Sequence, residues 1–181
     1  FQRFFEQASG VTLPIVTGGA GDKTLVYIGA GESLAASSLA RAADREYGQE
    51  ESRILISSDG VVIAGGRPRG VLYGVYRFLE DYLDVRFLTA DVTHVPPFPL
   101  RKRVKDVDST YDPPFEFRFY LKPEVIDSKA FTVRRRQNGH NPNSTNNIPE
   151  SMGGTSPAKF FLHNNMGYHG GGFEEHPEYY T

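Results

Sequence analysis

The chain contains no cysteine. Disulfide bridges, cysteine-bound zinc and thiol nucleophiles are therefore excluded, and a bacterial cytosol and a bacterial periplasm both stay open. Charge of one sign is lacking too. Twenty Lys and Arg stand against 22 Asp and Glu, a formal net charge of −2. Such a balance supplies no general attraction to nucleic acid or anionic membrane. No apolar run reaches the length of a membrane span. There is no initiator Met and no signal peptide. The first residues are Phe1-Gln2-Arg3-Phe4-Phe5, in which Phe1, Phe4, Phe5 and Ala8 fall at helical spacing with Gly10 as the C-cap. The expectation is a chain that starts inside a helix, with the natural start and any export signal upstream. Proline is scarce at first: of 12, only Pro14 and Pro68 precede position 90.

What is present suits one small domain plus part of another. In 181 residues, 39% are hydrophobic and 13% aromatic, enough for a packed core. Residues 23–28 (KTLVYI) predict a strand. Residues 33–47 predict an Ala-rich helix with Leu34, Leu39, Ala42, Ala43 and Tyr47 on its apolar side, closed by Gly48. Residues 53–57 and 61–64 predict two strands about the turn Ser58-Asp59-Gly60, a hairpin. The next helix, over 68–83, has Pro68 in its first turn and an apolar face of Val71, Val75, Phe78, Leu79 and Tyr82. Gly70 and Gly74, one turn apart, would let it approach a sheet closely. Residues 85–88 predict a short strand. A hairpin implies antiparallel pairing, so the fold class expected is α/β: an α+β two-layer sandwich, its mixed sheet covered by helices on one face.

Beyond position 90 the character changes. Pro96-Pro97-Phe98-Pro99 marks a linker, taken as residues 91–112. In Phe115-Glu116-Phe117-Arg118-Phe119-Tyr120 the aromatics alternate with other residues at the period of a strand. No long periodic element stands between Gln137 and Ala158, which fits an active-site loop or a partly disordered segment. The expected organisation is an accessory α/β domain over 1–90, the linker over 91–112, and the N-terminal part of a further domain over 113–181.

The run Arg69-Gly70-Val71-Leu72-Tyr73-Gly74-Val75-Tyr76-Arg77-Phe78-Leu79 resembles the N-terminal domain of chitobiase-type β-hexosaminidases and bacterial α-glucuronidases, where a similar helix follows a Gly-bearing hairpin. It resembles more specifically a group of uncharacterised bacterial proteins that join this domain to a glycoside-hydrolase-like barrel. The Pro-rich linker, the run Pro114-Phe115-Glu116-Phe117-Arg118 and the later His176-Pro177-Glu178-Tyr179-Tyr180 agree in order. The resemblance touches about two-thirds of the chain. It implies a non-catalytic first domain and the beginning of a (β/α) barrel, whose chemistry lies at the C-terminal ends of its strands. In the hexosaminidases an Arg ending the first barrel strand binds hydroxyls of the terminal sugar. Arg118 falls there, followed by Phe119 where those enzymes have Gly. The resemblance also puts an Arg-rich stretch ending in Asn in the barrel's first helix and loop, which assigns Asn138 to the cleft.

Each candidate has a plainer alternative. A guanidinium at Arg118 can bond two vicinal sugar hydroxyls in fixed geometry, or it can pair with a carboxylate such as Glu116. The rings of Tyr111, Phe115, Phe117, Phe119 and Tyr120 could stack on sugar faces, although core packing or a domain interface is the stronger reading. Gly29-Ala30-Gly31-Glu32-Ser33-Leu34 has the setting of a dinucleotide fingerprint. Leu34 replaces its third glycine, and a hairpin follows in place of a crossover strand, so an ordinary strand–helix turn is preferred. The five histidines (His94, His140, His163, His169, His176) lack metal-ligand spacing. His163 and His169, among Asn and Gly in a loop, could line a sugar subsite. The run Arg134-Arg135-Arg136 could bind phosphate or an acidic sugar, although solvated surface is the stronger reading in a chain that is not basic overall. Glycoside hydrolysis needs two carboxylates across the scissile bond. Adjacent glutamates on one segment point apart, so none of Glu174, Glu175 and Glu178 is assigned as acid or base.

The expected function is thus that of a glycoside hydrolase-like protein acting on oligo- or polysaccharide, with its catalytic carboxylates outside this sequence. The substrate-binding candidates are Arg118, Asn138 and His169; no metal, cofactor or nucleic acid is implied. A protein that degrades polysaccharide belongs in the periplasm or outside the cell. The reading from another class is a non-catalytic carbohydrate-binding protein.

Overall fold

A computed structural model describes residues 1–17, 23–99, 104–120, 122–139, 147–157 and 177. In chain order the elements are α1 (Gln2–Ser9), β1 (Leu25–Ile28), α2 (Glu32–Ala35), a 3₁₀ turn (Ala40–Ala42), β2 (Ser52–Ser57), β3 (Gly60–Gly65), α3 (Gly70–Tyr82), β4 (Arg86–Phe87), β5 (Thr93–His94), β6 (Val107–Tyr111), α4 (Pro123–Ile126), α5 (Lys129–Arg134) and a second 3₁₀ turn (Glu150–Met152). The architecture is a mixed α/β fold built on a four-stranded mixed sheet of order β1-β3-β2-β6.

The hairpin forms where its turn signal stands. Ser57 pairs with Gly60 across Ser58-Asp59, and Ile54 with Ile63. β1 adds parallel to β3, with Leu25 opposite Gly60. Gly60 has φ +151°, and a Cβ there would sit 2.8 Å from the Leu25 carbonyl, so a side chain would part the two strands.

Strand periodicity sorts the hairpin between two faces. Ile54, Ile56, Val61 and Ile63 pack with Phe4 of α1 and with Val75, Phe78 and Leu79 of α3. Leu55, Val62 and Ala64 pack with Leu34, Leu39 and Ala42. Helical elements therefore lie on both faces of the sheet, which corrects the expectation that they cover only one. The reason is the sequence of the hairpin itself: both strands are apolar on both sides, so both sides must be covered.

Two predicted elements change form. The Ala-rich helix over 33–47 is replaced by α2 and the first 3₁₀ turn. Between them the Ser37 hydroxyl donates to the Leu34 carbonyl at 2.8 Å and accepts from the Leu39 N–H at 3.1 Å. A serine that bonds nearby backbone in this way competes with the helix ladder. The apolar side survives the break, and Leu34 is 1% exposed. The aromatic run at 115–120 bends at Glu116 and joins no ladder among the described residues, and Phe115 is 69% exposed. Conversely, residues 107–111, read as the end of a linker, form β6 against β2. Within the remainder of that stretch, β5 pairs with β4.

α3 is the central element. Gly74 lies on the sheet, where a Cβ would come within 2.8 Å of the Ile63 side chain and 3.2 Å of Ser52 Cβ. Arg77 ties α3 to both inner and edge strands, donating to the Ser52 and Ser109 hydroxyls at 3.2 Å each. Pro68 lies just ahead of the helix, whose N-cap is Arg69. The side of α3 away from the sheet holds Tyr73, which packs with Val133 and Ile148. Val125 of α4 and Phe131 of α5 extend the core that α1 and α3 begin. Ser128 caps α5, its hydroxyl accepting from the Phe131 N–H at 3.3 Å. No barrel is formed among the described residues; residues 113–120, 122–139 and 147–157 form a layer of short helices and loops laid over α1 and α3. Among the described residues no helix is long and apolar enough to cross a membrane.

Candidate functional site

The polar residues that converge most closely lie where this layer meets the α/β unit. Their centre is Glu50, in the loop before β2. The loop is held by glycines. The Gly66 N–H bonds the Glu51 carbonyl at 3.0 Å, and the Arg69 and Gly70 N–H groups bond the Gln49 carbonyl at 3.2 and 2.9 Å. A Cβ on Gly66 would lie 1.9 Å from the Gly48 carbonyl oxygen, and one on Gly70 would lie 2.2 Å from that of Glu51. Only hydrogen at these positions lets the loop come so near, and the approach fixes where the Glu50 carboxylate points.

That carboxylate is almost completely occupied. Its Oε1 accepts from Arg69 Nε at 2.6 Å and from Asn138 Nδ2 at 2.8 Å, and its Oε2 accepts from Arg118 Nη2 at 2.5 Å. Arg69 is the N-cap of α3, where the positive end of the helix dipole disfavours a cation. Glu50 offsets this. The other Arg69 donors reach the later turn: Nη1 to the Gly153 carbonyl and Nη2 to the Ser156 hydroxyl, both at 2.8 Å.

Arg118 and Asn138, the two sugar-binding candidates that are described, are brought together here. Arg118 sends Nε to the Arg136 carbonyl at 2.8 Å and Nη1 to the Phe115 carbonyl. Its backbone N–H donates to Asn138 Oδ1 at 2.8 Å. Asn138 is 0% exposed. Its amide nitrogen also donates to the Glu116 carbonyl at 2.8 Å, so its amide donors and acceptor are engaged within the chain. The Arg118 guanidinium also lies over the Tyr73 ring, 5.8 Å from the centroid. His169 lies outside the described residues, as do His140, His163, His176 and the three late glutamates.

Burial, more than the nearby Glu50 charge, pushes the Tyr73 hydroxyl up to about 12, against the opposing pull of Arg118 and Arg69. It is therefore a neutral donor at ordinary pH, directed at the Gln137 carbonyl at 3.4 Å. Chemically, the cluster holds segments together. Both Glu50 oxygens accept from nitrogen, so the carboxylate is committed to joining these segments. Glu80 is likewise paired, with Arg136 at 2.5 Å. Among the described residues there is no group of three or more His, Cys, Asp or Glu placed to hold a metal ion. The Gly29–Gly31 turn leads into a helix of four residues whose Leu34 is buried beneath the sheet, an apolar role.

No known protein family, curated protein or solved structure matches the chain.

Glu50 has no counterpart among the candidates read from the sequence. In Gly48-Gln49-Glu50-Glu51 it looks like a solvated loop acid. The signal that points to it is Arg69: a cation at the start of an apolar helix needs a counter-charge.

Proposed function

We propose that the α/β unit is a non-catalytic accessory domain of a glycoside hydrolase-like protein acting on glycans, and that residues 113–157 begin the unit that handles the sugar chain. One observation carries the reading. The residues of the helix motif that bear the family resemblance are those that make the junction: Arg69 pairs with Glu50, Gly70 admits the Glu50 loop, Tyr73 lies beneath Arg118, and Gly74 seats α3 on the sheet. A motif devoted to holding the following segment is what a buttressing domain requires. The glycan part of the reading rests on the resemblance.

Cleavage would need a pair of carboxylates about 5 to 10 Å apart across the scissile bond. Those residues would lie outside the described part of the chain. The site of action would be the periplasm or the cell exterior, where polymeric glycans are met.

The test is hydrolysis by the full-length protein of a panel of aryl glycosides and oligosaccharides, N-acetylhexosaminides and glucuronides included, with Arg118→Ala alongside. Cleavage that weakens with the substitution supports the enzyme and the junction together. Glycan binding without cleavage moves the reading to a carbohydrate-binding protein. The absence of both cleavage and glycan binding overturns it.

A further inference from the structure

We infer that Glu50 is the closing element of a latch, through which the layer that holds segments 115–118, 136–139 and 153–156 opens from the α/β unit while the sheet stays folded. The inference concerns the junction alone and does not depend on what ligand the protein takes.

Two segments of the layer meet on one carboxylate, and a third reaches it through Arg69. Oε2 holds Arg118, and with it the 115–118 segment; Oε1 holds Asn138, and with it the 136–139 turn; Arg69, also on Oε1, holds the turn at 153–156. The three are cross-linked to each other as well. The Asn138 and Gly139 N–H groups donate to the Arg118 carbonyl at 3.1 and 3.0 Å, and the Ser156 N–H donates to the Asn138 carbonyl at 2.7 Å. A layer so joined internally moves together.

Its remaining attachments are side-chain contacts: Arg136 pairs with Glu80 of α3, the Tyr73 hydroxyl donates to the Gln137 carbonyl at 3.4 Å, and Arg134 lies over the Phe4 and Phe87 rings. It contributes no strand to the four-stranded sheet among the described residues. Its helices have four and six residues, too short to persist without support. Its buried apolar side chains include Val125, Phe131, Val133 and Ile148. The sheet keeps its own core when the layer leaves: Ile54, Ile63 and Leu79 on one face, Leu34, Leu55 and Val62 on the other.

Charge sets the sensitivity of the latch. Two guanidiniums surround one carboxylate, with side chains 7% and 16% exposed for Arg69 and Arg118. Removing the carboxylate charge strands both cations in a poorly hydrated place. The penalty for breaking such a buried set corresponds to about a 10²- to 10³-fold shift in an equilibrium. Opening returns both cations to water, so the shift falls on the opening step.

The experiment is hydrogen exchange followed by mass spectrometry on the full chain, comparing wild type with Glu50→Gln. The expected result is faster exchange, by about 10²- to 10³-fold, in peptides that report 115–118, 136–139 and 153–156, with unchanged exchange in β2 and β3. Arg45→Ala, which removes the exposed partner of the neighbouring Glu51, serves as a control and leaves all three segments protected. Should Glu50→Gln fail to fold, Arg118→Gln keeps the Glu50–Arg69 pair. It is then expected to expose 115–118 and 136–139 while β2 and β3 keep their protection. The inference is overturned if junction and sheet accelerate together, or if the junction does not accelerate.

Discussion

Replacing Gly70 with alanine sets two physical effects against each other. Gly70 is the first residue of α3. Helix propensity alone would make Ala the better residue, by up to about 1 kcal/mol. The junction argues the opposite. A Cβ at position 70 would sit 2.2 Å from the Glu51 carbonyl oxygen and 3.2 Å from Gly65 carbon, and real Cβ atoms essentially never approach within 3.0 Å. Both neighbours are backbone, so no rotamer change relieves the contact. The loop carrying Glu50 must withdraw by about 0.8 Å or more, and the bonds from Arg69 and Gly70 N–H to the Gln49 carbonyl stretch with it. Overpacking of this kind costs about 1–3 kcal/mol. The expected outcome in urea unfolding is a net loss of stability, of about 1–2 kcal/mol after the propensity gain. Gly31→Ala is the comparison: a Cβ there meets nothing within 4 Å, so the change should cost only the loss of a cap glycine at α2, below about 1 kcal/mol. An equal or greater stability for Gly70→Ala would refute the claim that the loop requires hydrogen at this position.

Other consequences are open to measurement. Because folding raises the Tyr73 hydroxyl to about 12, the folded chain holds its proton more tightly than the unfolded chain. The stability this contributes is intact below about pH 10 and falls as pH rises through 12; Tyr73→Phe should remove that part of the alkaline decline in thermal unfolding. Asp108 shows the reverse sign. Its hydrogen bonds from Arg53, at 2.7 Å each, hold the carboxyl below the usual range, so the pair's contribution is present above about pH 4 and is lost as pH falls through the lowered value. Asp108 is half exposed, and a double-mutant cycle with Arg53 should return about 0.2–1 kcal/mol. Leu79→Ala empties a fully buried place between α3 and the sheet and should cost about 2–5 kcal/mol in urea unfolding.

The parts of the fold legible in the sequence are those where local chemistry and packing agree. The β2–β3 hairpin announces itself through Ser58-Asp59-Gly60, and α3 through its apolar face and paired glycines. α1 ends at Gly10, with φ 72°, where its C-cap signal stands. Legibility fails where a distant partner decides. The strand β6 reads Val-Asp-Ser-Thr-Tyr, nearly without apolar alternation, because it is an edge strand held by Arg53, Arg77 and the ladder from β2. The Ala-rich stretch has helical composition, yet Ser37 bonds its own backbone and the segment must instead lie flat over Leu55 and Val62. At the junction, Arg118 and Asn138 stand out in the sequence through the resemblance. Their partner Glu50 lies 68 and 88 positions away, in a loop with no pattern of its own.

The position of β6 decides where this chain can be divided. A cut at residue 90, where composition shifts, would leave β2 as the open margin of the sheet, with the groups that pair residues 52–56 to 107–111 bare to solvent. Exposed margins of this kind invite pairing with other chains. A cut after Tyr111 would keep the four strands together. It also follows that during synthesis the sheet stays incomplete until Tyr111 has emerged, since its second strand waits some fifty residues for its neighbour. The proline-rich stretch between them acts less as a spacer between domains than as the return path by which one domain finishes itself.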